Sequence, residues 1–62
     1  MFEAPFTAVR EDGKFHQQFD FISDVARMLL RHEHSKTRWI KWLVYDRNGT
    51  LVPEYMIKEC LP

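Results

Sequence analysis

Residues 22–30 read Ile-Ser-Asp-Val-Ala-Arg-Met-Leu-Leu and decide the fold, because their apolar side chains recur with the period of an α-helix. One face of such a helix collects the positions i, i+3, i+4, i+7 and i+8, which are Ile22, Val25, Ala26, Leu29 and Leu30. Asp20 or Ser23 can cap the N-terminus, and Asp24 lies where the helix dipole favours an anion. We therefore predict an amphipathic helix that ends near residues 34–35.

On the N-terminal side of this helix, Asp12-Gly13 predicts a two-residue hairpin turn, because such pairs tolerate the positive φ that the turn requires. This turn places Phe6 opposite Phe19, and it gathers most of the nearby apolar side chains on one face of the hairpin. Pro5 lacks an N–H group, so the first strand is either an edge strand or begins after Pro5.

On the C-terminal side, Asn48-Gly49 predicts a second hairpin with strands over Trp39–Tyr45 and Thr50–Ile57. With a two-residue loop, the face toward the helix consists of Ile40, Trp42, Val44, Leu51, Tyr55 and Ile57. A three-residue loop with a bulge at Gly49 shifts the pairing by one residue, and both registers stay open at this point.

Together these patterns predict one α+β domain over residues 1–62, with two β-hairpins and the helix between them in the order ββαββ. The hairpins form one antiparallel sheet, and the helix packs on one of its faces. The other face then carries an apolar patch that is a candidate contact surface, made of Trp39, Leu43, Tyr45, Val52 and Met56. The alternative is that one or two of these side chains fold back over the edge of the core.

The composition limits the class of protein. The chain has 62 residues, with nine basic and nine acidic side chains, so no net charge attracts it to nucleic acid or membrane. Cys60 is the only cysteine, which excludes a disulfide within the chain and fits a reducing compartment. No apolar run reaches 18 residues, and the N-terminus does not resemble a signal peptide. We expect a cytoplasmic protein that does not contact membranes.

The residues that could carry chemistry do not form a recognisable site. His32 and His34 point about 200° apart if they lie on a helix, so they cannot share a metal ion. The chain has no Gly-x-Ser-x-Gly turn and no glycine-rich phosphate loop, and Cys60 lies near the end of the chain without a fixed partner. We therefore predict no enzymatic activity, no metal site and no cofactor.

The distribution of charge is more informative than the net value. Residues 1–26 carry two basic and five acidic side chains, whereas residues 27–41 carry five basic side chains and only one acidic. Basic side chains beside an exposed aromatic can hold phosphates and stack a base. The candidate nucleic-acid-binding residues are Arg27, Arg31, Lys36, Arg38 and Trp39.

The leading functional prediction is a non-enzymatic protein-interaction module, such as a small regulator or inhibitor that occupies the surface of an unidentified protein partner. Homodimerisation through the C-terminal hairpin is its simplest form, since the enrichment of Trp, Tyr and Met is typical of interfaces. It also relieves the marginal stability of a core this small. The alternative is a small nucleic-acid-binding module that uses the basic helix face and the loop after it.

Overall fold

A computed structural model describes residues 2–60, which form a three-stranded antiparallel sheet and two helices. In chain order the elements are β1 (Phe6–Arg10), β2 (His16–Phe19), α1 (Ile22–His32), β3 (Trp42–Tyr45) and α2 (Glu54–Lys58). The strand order is β2-β1-β3, so the first strand lies in the centre of the sheet. The predicted α+β class is confirmed, but the ββαββ arrangement with four strands is not what the described residues form.

The register of the first hairpin is the predicted one. Phe6 lies opposite Phe19 and Ala8 opposite Gln17 in the ladder between β1 and β2. The turn is longer than predicted, because the last ladder bond runs from the Arg10 N–H to the Phe15 carbonyl at 2.9 Å. Gly13 donates its N–H to the Arg10 carbonyl and has a φ of 76°. β1 begins directly after Pro5, so the missing N–H of Pro5 lies outside the ladder of this central strand.

Helix α1 follows the predicted periodicity and covers one face of the sheet. Val25 and Ala26 are buried, and Ile22, Met28 and Leu29 pack partly against the same core. Leu30, also predicted to face the core, is 44% exposed. The prediction that Asp20 or Ser23 caps the helix is wrong, since Phe21 occupies the N-cap position and no side chain of residues 2–60 bonds there. Asp24 lies in the first turn as predicted.

The predicted fourth strand is wrong, because the chain turns into helix α2 after Pro53. The N-cap of α2 is Pro53, whose φ of −62° is compatible with the start of a helix. Residues 54–58 read Glu-Tyr-Met-Ile-Lys, and the Glu54 and Lys58 side chains form an i,i+4 ion pair with an N–O distance of 3.4 Å. Such pairs support short helices. β3 pairs along its length with β1, and its pairing with the following segment is limited to the bridge between Tyr45 and Leu51.

The turn at residues 46–50 adopts the three-residue loop that the sequence leaves open. The Asp46 N–H donates to the Thr50 carbonyl at 2.9 Å, and Tyr45 lies opposite Leu51. This register reverses the faces predicted for the following segment. Val52 is 4% exposed and lies in the core, whereas Leu51 is 51% exposed.

The core lies between the sheet and the two helices. It contains side chains from each of β1, α1, β3 and α2, together with Val52 before α2, namely Phe6, Ala8, Val25, Ala26, Val44, Val52 and Ile57. The fold therefore leaves the opposite face of the sheet and the outer edge of β3 without a covering element from the described residues.

Candidate interaction surface

The sheet face that carries no helix is defined by the pairing of β1 with β3. Thr7 lies opposite Tyr45, Val9 lies opposite Leu43, and Leu51 extends the row beyond Tyr45. Opposed residues project to the same side of a sheet, and these alternate with the core residues. We call this surface the open face, and it consists of Thr7, Val9, Leu43, Tyr45 and Leu51. β2 continues it with polar side chains, so the apolar part lies on the β3 side.

A cleft of about 430 Å³ opens beside β3, and we call it the edge cleft. It lies between the end of α1, the loop over residues 33–41 and the segment over residues 51–57. Most of its wall is apolar or aromatic, and its principal lining residues are Leu29, His32, Trp39, Ile40, Trp42, Leu51, Val52, Pro53 and Ile57. A volume of this size is within the range of ligand and peptide sites in proteins.

His32 fixes the loop that forms one wall of the edge cleft. Its Nε2–H donates to the Ile40 carbonyl at 2.6 Å, which ties the end of α1 to the start of the path into β3. The His32 ring also packs edge-to-face on Trp42, with ring centroids 6.0 Å apart. The loop over residues 33–41 is thus held by a hydrogen bond and an aromatic contact that sequence reasoning did not anticipate.

The outer edge of β3 carries unpaired backbone groups at Trp42. Alternate residues of an antiparallel strand bond to the same neighbour. The Lys41 carbonyl accepts from the Glu11 N–H, and the Val44 carbonyl accepts from the Val52 N–H at 2.8 Å on the other side. Trp42 therefore directs its N–H and carbonyl away from β1, as Val44 does. Within residues 2–60, no backbone group bonds to Trp42 on that side.

The acidic side chains that line the edge cleft form ion pairs, whereas the basic side chains that line it do not within residues 2–60. Glu33 and Glu54 both contact the Lys58 ammonium, at 3.6 and 3.4 Å. The hydrogen bond and charge of Glu54, with a smaller contribution from Glu33, raise the pKa of Lys58 above 10.5. Arg38 and Lys41 also line the cleft, and neither forms an ion pair within the described part of the chain. Glu33, Glu54 and Lys58 together carry one net negative charge, and Arg38 and Lys41 carry two positive charges, so the charge around the cleft sums to +1.

Asp46 positions the segment that carries Leu51 and Val52. Its side-chain Oδ1 accepts the N–H groups of Asn48 at 3.0 Å and Thr50 at 2.8 Å, which closes the turn. Burial alone would raise the pKa of Asp46, but the backbone N–H groups of Thr50, Glu3 and Asn48 lower it below its ordinary value of 3.8. Sequence reasoning missed this role, although an Asp two residues before Asn-Gly is a known turn signal.

The structure separates the five predicted protein-interaction residues into different environments. Trp39 is 77% exposed, Leu43 is 40% exposed, and Tyr45 lies half-buried on the open face. Val52 is buried in the core and does not lie on the exposed sheet face on which the sequence predicted it. Met56 is half-buried within α2 and does not lie on the sheet. Val9 and Leu51 were missed, since their place depends on the β1–β3 pairing and on the turn register.

The five residues predicted for nucleic-acid binding are all exposed. Arg27 and Arg31 lie on α1, and Lys36, Arg38 and Trp39 follow in the loop after it. The Arg27 guanidinium contacts the Asp24 carboxylate at 3.2 Å, so part of its charge is compensated locally. The structure thus leaves the side chains of this set accessible.

Residues 2–60 contain no group of three or more His, Cys, Asp or Glu side chains that could hold a metal ion. The Cys60 thiol donates to the Met56 carbonyl at 3.5 Å within the last turn. The longer described helix has 11 residues, and neither helix is long and apolar enough to cross a membrane.

Comparisons with known proteins gave no relative for this chain. A scan against protein-family models, a search of curated proteins and a search of solved structures each found no match.

Proposed function

We propose that this chain is a non-enzymatic protein-interaction module of the cytoplasm that associates through its open face, in the simplest case with a second copy of itself. The observation that carries the proposal is a sheet face with apolar side chains at Val9, Leu43, Tyr45 and Leu51, which no helix of the described residues covers. Contiguous apolar surface of this kind is uncommon on small monomers and is typical of contact sites. Such a module would regulate or inhibit a partner by occupying its surface.

The contact must extend beyond the sheet itself. A stable interface buries about 800 Å² on each partner, which is about a sixth of the 4773 Å² surface of residues 2–60. Three strands of four or five residues supply only part of that area. Trp39, which is 77% exposed and precedes β3, is the side chain best suited to enlarge the contact.

Sedimentation velocity on the intact chain tests self-association. We expect a species of twice the chain mass of 7.5 kDa at high micromolar concentration. The Leu43→Glu variant should be a monomer, because formation of the dimer would bury the new carboxylate on the open face without a partner. Leu30→Glu is the matched control, since Leu30 has nearly the same exposure but lies on α1. A wild-type chain that stays monomeric at high micromolar concentration would show that the homodimer is wrong.

A nucleic-acid-binding module is the second candidate, favoured by the exposure of Trp39 beside Lys36 and Arg38. Basic side chains next to an accessible indole can bind a phosphate and stack a base. The anisotropy of a fluorescent single-stranded oligonucleotide at about 50 mM and about 200 mM salt separates the two functions. Binding that weakens steeply with salt supports this candidate, and no binding at the lower concentration excludes it.

A further inference from the structure

We propose that the edge cleft binds one extended acidic segment of a partner protein, which adds as a short antiparallel strand beside Trp42. This inference rests on the proposed interaction function, but it names a specific class of partner and the edge cleft, which shares Leu43 and Leu51 with the open face but not Thr7, Val9 or Tyr45. Its failure would therefore leave association through the open face untouched.

The backbone at the edge of β3 supplies the first argument. Pro53 ends the pairing of the 51–52 segment with β3, and α2 then leads the chain away. The strand position beside Trp42 is consequently left without a backbone partner from residues 2–60. A peptide residue placed opposite Trp42 can accept its N–H and donate to its carbonyl, as in other cases of strand addition.

The apolar wall of the edge cleft supplies the second argument. Alternate side chains of an added strand point to the same side. Every second side chain of the segment would enter the cleft and contact Ile40, Val52 and Ile57, while the intervening ones remain near the rim. The cleft thus selects an extended segment with apolar residues at alternate positions.

The charge at the rim determines which intervening residues fit. Arg38 and Lys41 line the cleft without ion pairs from the described residues, whereas Glu33 and Glu54 share the single ammonium of Lys58, so one positive charge remains in excess. Carboxylates at the alternate positions of the segment would complement the two unpaired cations. Lysine or arginine at those positions would be repelled.

Two fluorescein-labelled nine-residue peptides test this chemistry by anisotropy, one alternating Val with Glu and the other alternating Val with Lys. We expect the Glu peptide to bind at least about tenfold more tightly at about 50 mM salt, because repulsion is only weakly screened there. The double variant Arg38→Glu with Lys41→Glu should reverse this order. The control is the double variant Arg27→Glu with Arg31→Glu, which makes the same change of charge outside the cleft. Its affinity for the Glu peptide should stay within about twofold of the wild-type affinity.

Equal affinity for both peptides, or no binding of either at 1 mM, would overturn the inference. The inference would also be overturned if a single-stranded oligonucleotide displaced the labelled Glu peptide at a lower concentration than unlabelled Glu peptide does. That result would indicate that the cleft binds nucleic acid.

Backbone addition needs a separate measurement. We expect methylation of alternate peptide nitrogens to abolish binding, and the ¹⁵N–¹H spectrum of the chain to shift most at the Trp42 amide. Shifts centred on Thr7 and Val9 instead would place the peptide on the open face, since neither residue lines the edge cleft. That result would refute the edge site while supporting the interaction function, so the two proposals fail separately.

Discussion

Replacement of Ile57 and of Tyr55 by alanine discriminates helix α2 from a fourth strand. Ile57 and Tyr55 would share the core face of a strand, since they are two residues apart. In the structure Ile57 is 1% exposed and Tyr55 is 65% exposed. Removal of a buried Ile side chain to Ala costs about 2–5 kcal/mol. Removal of a largely exposed side chain changes stability by about 0.5 kcal/mol or less.

The size of the domain makes this contrast easy to measure. A core in a chain of this length supplies about 3–5 kcal/mol of net stability, so Ile57→Ala should leave the protein largely unfolded. Ile57→Val removes one methylene group and should cost about 1 kcal/mol, which lowers the Tm by about 4–8 °C. Tyr55→Ala should melt near the wild-type temperature.

Urea and thermal unfolding followed by circular dichroism give both quantities. Measurements at one low concentration hold any self-association constant across the variants. Equal destabilisation by Tyr55→Ala and Ile57→Ala would contradict helix α2. It would instead support a fourth strand in which both side chains face the core.

The turn that carries Leu51 gives two further predictions. Gly49 has a φ of 78° and open space where a Cβ would lie, so Gly49→Ala should cost about 1 kcal/mol from backbone conformation alone. Gly49→Asn should cost less, and equal urea midpoints for the two variants would contradict this. The lowered pKa of Asp46 means that its contribution to stability is present above pH 3.8 and is lost as the pH falls below that value. The Asp46→Asn variant should therefore be less stable than the wild type at pH 7. Between about pH 5 and about pH 2, its urea midpoint should fall less than that of the wild type. Parallel pH profiles for the two proteins would show that Asp46 has no such role.

Local patterns were sufficient for the N-terminal half of the fold. The apolar spacing from Ile22 to Leu29 identifies α1, and Asp12-Gly13 places Phe6 opposite Phe19 with the correct register. Both signals depend on residues that are close in the sequence. The exposure of Leu30 was missed because it depends on the width of the sheet that α1 covers.

The C-terminal half could not be predicted in the same way, since non-local pairing decides it. Residues 42–45 alternate as a strand should, but they pair along their whole length with β1, and the segment after Asn48-Gly49 pairs with them only near Tyr45 and Val44. Pro53 stands inside the predicted strand Thr50–Ile57, whereas in the structure it precedes a helix. The helix-forming residues Glu54, Met56 and Lys58 were the available signal, and the β-branched and aromatic residues around them obscured it.

The candidate surface was predicted only in part for the same reason. Leu43 and Tyr45 lie on the open face because strand alternation alone places them there. Val52 and Leu51 exchange places because the turn contains one more residue than a two-residue loop, and such a shift moves every following side chain to the other face. The edge cleft depends on the tertiary approach of α1, β3 and α2, which no local pattern contains.

The central position of β1 has a consequence for synthesis of the chain. One edge of β1 is paired as soon as β2 follows it, but the other edge waits for β3, more than thirty residues later. Until then the nascent chain exposes an unpaired strand edge beside Phe6 and Ala8, which is a template for pairing with other chains. Aggregation during expression is therefore expected to depend on how quickly residues 42–45 reach β1, and truncations that end before β3 should be the most prone to it.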